Sequence, residues 1–81
     1  MTKYEIFDYD TDVWGKGAED YRIYDVIPTG IVIYTDTSKS SICKNLRLDN
    51  KDKIEACINE YTGVIYVYRN WIPICELHAV K

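Results

Sequence analysis

Pro28-Thr29-Gly30 stands between YRIYDVI (21–27) and IVIYTDT (31–37), and no other local signal constrains the fold as strongly. Proline presets φ for the first turn position, and glycine accepts the left-handed conformation that a three-residue hairpin with a bulge demands. Both flanks carry the β-branched and aromatic residues that strands prefer. The pattern predicts a hairpin of two strands. KYEIFDY (3–9) has the same character and predicts a strand before it, while DTDVWGKGAE (10–19), with two glycines and no period, predicts a loop.

Downstream, SKSSICKNLRL (38–48) fits both periods, because Ile42 and Leu46 share a helical spacing while Ile42, Leu46 and Leu48 also suit a strand face. It reads as irregular, with at most one helical turn. In 50–62, Ile54, Cys57, Ile58 and Tyr61 fall at i, i+3, i+4 and i+7, Asp49 can cap the first turn, and Gly63 stands where a helix ends. These features predict one amphipathic helix. VIYVY (64–68) and WIPICELHAV (71–80), separated by Arg69-Asn70, predict a second hairpin, with Pro73 placing the last strand at an edge or starting it after the proline. The expected fold is α+β: a small antiparallel sheet of about five strands packed on one helix, in the order β-β-β-α-β-β. With 81 residues there is material for one core, so 1–81 reads as a single domain.

Charge is uneven. The first 25 residues hold Glu5, Asp8, Asp10, Asp12, Glu19, Asp20 and Asp25 against Lys3, Lys16 and Arg22, a net −4, whereas the whole chain carries −3. Such a face repels phosphate and attracts cations or basic protein surfaces, which makes nucleic acid an unfavoured partner. No apolar run reaches signal-peptide or membrane-spanning length, and the three cysteines, Cys43, Cys57 and Cys75, lack the dense even pattern of a secreted disulfide scaffold. A cytoplasmic protein with reduced thiols is expected.

Four patterns carry candidate chemistry. Asp8, Asp10, Asp12 and Glu19 occupy the first, third, fifth and twelfth positions of a twelve-residue window that resembles an EF-hand calcium loop. Val13 stands at the sixth position, where that loop uses glycine, and the flanks read as strands. Cys75-x-x-His78 has the spacing of half a zinc site, with Cys57 and Cys43 as distant donors, but strand alternation sends residues 75 and 78 to opposite faces. His78, the single histidine, leaves one candidate base for thiol catalysis, and no cysteine sits in a nucleophile turn. Tyr21, Tyr24, Tyr34, Tyr66, Tyr68 and Trp71 fall on expected strands, where exposed rings can anchor a protein or stack single-stranded RNA.

Negative charge, small size and the lack of a catalytic constellation favour a non-enzymatic protein-binding domain without a cofactor. Its concrete form is a small acidic inhibitor or regulator of the phage or mobile-element type, whose carboxylates imitate nucleic acid and occupy a basic groove of a nucleic-acid-handling protein. The expected contact residues are Asp8, Asp10, Asp12, Trp14, Glu19 and Asp20, and a homodimer through a sheet edge is a further expectation. A calcium-binding module using the 8–19 loop and a single-strand RNA binder are the alternatives.

Overall fold

The computed structural model describes residues 1–10, 25–49 and 51–80. They form strands β1 (Thr2–Asp10) and β2 (Asp25–Thr35), helix α1 (Lys39–Leu46), and strands β3 (Ile54–Ile58), β4 (Ile65–Arg69) and β5 (Ile72–Ala79). All pairings are antiparallel, in the sheet order β2-β1-β5-β4-β3. The chain thus leaves one edge of the sheet, crosses through α1 to the other edge, and returns as a meander until β5 docks beside β1. The antiparallel α+β architecture is as the sequence predicts, but among the described residues the element order is β-β-α-β-β-β.

The expected hairpin at Pro28-Thr29-Gly30 is corrected to a bulge within one long strand. Glu5 pairs with Val32 and Phe7 with Pro28, so Thr29, Gly30 and Ile31 are set against Ile6 alone. Thr29 holds this detour: its hydroxyl donates to the Ile6 carbonyl at 2.6 Å and accepts from the Ile31 N–H at 3.1 Å. Gly30 takes the left-handed φ of 77° that the bulge needs. The turn residues are used, but β1 supplies a partner along the whole length and the chain continues forward.

The expected helix over 50–62 is corrected as well. Residues 54–58 are strand β3, and the helix lies at 39–46, inside the segment read as irregular. Ser38 caps α1, its Oγ accepting from the Ser41 N–H at 3.3 Å. Asp36 in turn accepts from the Ser38 N–H and hydroxyl, and those bonds, the hydroxyl's first, hold its carboxyl below the ordinary range. The helix ends with Arg47 in the left-handed conformation and Leu48 N–H donating to the Cys43 carbonyl, a Schellman arrangement without its usual glycine. Asp49 caps a tight turn instead of a helix, its Oδ1 accepting from the Lys51 N–H. Gly63, at φ 76°, closes the β3–β4 hairpin by donating to the Asn59 carbonyl, while the Asn59 side chain accepts from Tyr61 and Thr62.

The core lies between α1 and one sheet face. Ile42 of α1 is fully buried against Tyr4, Ile54, Ile65, Val67, Cys75 and Leu77, and α1 touches β2 and β3, the two edges of the sheet. Pro73 does not mark an edge, since β5 lies between β1 and β4. The proline falls beyond the last β1–β5 pair, Asp8 with Cys75, and at the register shift in the β4–β5 ladder, where a missing N–H costs no regular bond. No helix among the described residues is long and apolar enough to cross a membrane.

Candidate functional site

Strand alternation divides the sheet residues into two sets. Ile54 and Ala56, Ile65 and Val67, Cys75 and Leu77, and Tyr4 and Ile6 face α1. Glu55 and Cys57, Tyr66 and Tyr68, Glu76 and His78, and Glu5 and Phe7 occupy the opposite face. Within that second set, Glu76 is buried, with His78 Nε2 2.9 Å from its Oε1 and the Phe7 ring 4.1 Å from the imidazole centroid. Burial, and then the negative charge of Glu76, push the Tyr9 phenol well above its ordinary range.

Cys75 and His78 therefore lie on opposite faces of β5. Burial first, with the nearby charges of Asp8 and Glu76, pushes the Cys75 thiol up to about 12, which makes it a poor thiolate donor. All three cysteines are unbridged, and no group of three or more potential ligands that could hold a metal occurs among the described residues. Of the calcium-loop positions, Asp8 is exposed on β1, its Oδ1 accepting from the Tyr9 N–H, and Asp10 ends β1 opposite Asp25. Asp12 and Glu19 lie outside the described residues, as do Trp14 and Asp20 of the expected contact set.

Two surfaces stand out, and both lie along edges of the sheet. The first is β2. From Val26 to Thr35 the strand has no charged residue, and Val26, Ile27, Ile31, Val32 and Tyr34 are all exposed, Ile31 at 58% and Tyr34 at 59%. A long apolar edge with this much exposure is what soluble sheets ordinarily avoid by placing a lysine or a charge on it. Acids stand at its ends instead: Asp25 at the start, with Asp8 and Asp10 on the adjoining end of β1, and Asp36 just past the finish.

The second surface is an open groove of about 480 Å³ at the β3 edge, lined by Glu55, Cys57, Tyr68 and Trp71. Glu55 and Tyr68 are direct cross-strand partners. Trp71 comes from the β4–β5 turn, where Asn70 and Trp71 both have positive φ, 52° and 70°. A two-residue turn of this kind normally takes glycine at the second position, and an L-residue there costs about 1–2 kcal/mol. The turn is tied to the start of β3 by Asn70, whose N–H donates to the Lys53 carbonyl and whose Oδ1 accepts from the Lys53 N–H. Lys53 Nζ lies 4.6 Å above the Trp71 ring, which is itself 65% exposed.

A strained backbone under an exposed tryptophan points to a role other than stability. Trp71→Gly should relieve the strain while losing a cation–π contact of about 0.5–1 kcal/mol, so the variant should be as stable as the wild type or up to about 1.5 kcal/mol more stable. Urea denaturation measures this. A loss above about 1 kcal/mol would make Trp71 a structural residue.

Sequence reasoning placed Trp71 and Tyr68 among the aromatic candidates but missed Glu55, which became a groove residue only through its pairing with Tyr68. It also missed the β2 edge, because a hairpin reading gives that strand a partner on its other side. No protein-family model, curated protein or solved structure matches the chain.

Proposed function

We propose that the chain is a non-enzymatic protein-binding domain that takes an extended segment of a basic partner along β2. The observation that carries this reading is the β2 edge: ten uncharged residues, five exposed apolar side chains, and acids at both ends. Added strands gain main-chain hydrogen bonds from an edge and selectivity from alternate side chains. An apolar segment flanked by lysines or arginines complements both the middle and the ends.

In its concrete form the domain is a small inhibitor or regulator of a nucleic-acid-handling protein. Asp8 and Asp10, continued in sequence by Asp12, Glu19 and Asp20, supply negative charge that steers the encounter and occupies a basic groove. A second copy of the chain is a poorer occupant. Full antiparallel register would set Asp25 of one copy against Asp36 of the other, and like charges placed directly opposite oppose that pairing. RNA fits less well than protein, because Glu5 and Glu55 share the tyrosine-bearing face and would meet phosphate.

Capture from an extract of the native host, with identification by mass spectrometry, tests the reading. The wild-type chain should retain a defined basic protein. Reversing Asp8, Asp10 and Asp12 to lysine should lower capture about tenfold or more, and raising salt from about 50 to about 500 mM should do the same. Capture indifferent to both changes would refute the proposal.

A further inference from the structure

Beyond the β2 reading, and at the opposite edge of the sheet, the groove formed by Glu55, Cys57, Tyr68 and Trp71 has the chemistry of a cation receptor. Two aromatic side chains and one carboxylate line it, and Glu55 has no hydrogen-bond or ion-pair partner among the described residues. One of these rings already meets a cation, since the Lys53 ammonium, which is not part of the groove lining, lies 4.6 Å over the Trp71 ring. Aromatic faces attract cations through their quadrupole, and an adjacent carboxylate adds direct charge pairing.

We propose that this groove receives a cationic side chain from another protein, with Tyr68 and Trp71 as its walls and Glu55 as the counter-ion. Arginine is the better fit. Its planar guanidinium can stack on a ring and present two N–H groups to one carboxylate, whereas an ammonium does one or the other. The left-handed Trp71 then has a purpose: a glycine in its place would satisfy the turn and leave the groove without a wall.

The probe is N-acetyl-arginine methylamide, titrated into the ¹⁵N-labelled full chain and followed by chemical shifts. Saturation should occur in the millimolar range, as suits a ligand of this size, with the largest changes at the Trp71 indole, Glu55 and Tyr68. The uncharged citrulline analogue should leave these signals in place. Glu55→Gln should weaken binding at least fivefold, and Trp71→Gly should abolish it. A β2 variant such as Val32→Lys should bind the probe as the wild type does, which separates failure here from failure of the β2 reading. Shifts that bypass the Trp71 indole, equal shifts with the citrulline analogue, or undiminished binding by Glu55→Gln would overturn the proposal.

Discussion

Between about pH 9 and pH 11 the wild-type chain should lose about 2 kcal/mol more stability than a Cys75→Val variant of similar side-chain volume. The Cys75 thiol is buried on the core face of β5, and desolvation, helped by Asp8 and Glu76, raises it from 9.0 to about 12. A raised folded-state value means that the unfolded chain gives up its proton first. The contribution is therefore fully present below about pH 9 and is lost as pH climbs towards 12. Tyr9 works in the same direction, because burial and then Glu76 raise its phenol above 10.0, so Tyr9→Phe should flatten the alkaline limb further. For a domain of this length about 2 kcal/mol corresponds to a melting temperature lower by about 10 °C. Parallel alkaline limbs in wild type and Cys75→Val would show that the thiol is not desolvated.

Ile42→Ala should cost about 2–5 kcal/mol, while Tyr61→Ala should change stability by less than about 0.5 kcal/mol. Ile42 is 0% exposed and is the buried residue by which α1 joins the sheet, whereas Tyr61 is 98% exposed in the β3–β4 hairpin. A domain this small has total stability near the lower end of about 5–15 kcal/mol, so the Ile42 variant should be partly unfolded at ambient temperature. The pair of substitutions discriminates between two folds. Were residues 50–62 an amphipathic helix, Tyr61 would belong to its buried stripe and would be the expensive one to lose. Urea midpoints for both variants decide the matter.

The same two residues show why the helix was hard to place from the chain alone. Ile54, Cys57, Ile58 and Tyr61 satisfy a helical period, yet Ile54, Ala56 and Ile58 satisfy a strand period just as well. Pairing with β4 chooses between them, and pairing is a long-range property. Asp49 and Gly63 misled for a related reason, since an acid that accepts backbone N–H bonds and a glycine at positive φ serve a tight turn and a hairpin as readily as the two ends of a helix. α1, for its part, hides its start behind the Asp36–Ser38 pair and ends on Arg47 instead of glycine, so neither terminus announces itself.

What was legible followed from strictly local signals. KYEIFDY became β1, VIYVY and WIPICELHAV became β4 and β5, and the tight turn expected at Arg69-Asn70 falls one residue later, at Asn70-Trp71, with Trp71 in the turn instead of the strand. Pro28-Thr29-Gly30 was legible as a special backbone but not as the right one. Whether such a triplet reverses the chain or bulges it depends on whether β1 continues alongside, and the bond from Thr29 to Ile6 spans 23 residues. The tyrosine-bearing face, with Tyr66 and Tyr68 turned away from the helix, was likewise readable from alternation. Its neighbour Glu55, and with it the groove, was not, because a residue assigned to a helix has no cross-strand partner to lend it meaning.

Amide hydrogen exchange of the purified chain, with and without the basic partner recovered by capture, bears most directly on the role given to β2. Strand addition predicts slowed exchange in the amides of residues 31–35, with no comparable change across residues 54–58 of the opposite edge. Protection that falls on β3 while β2 exchanges as in the free protein would contradict the account.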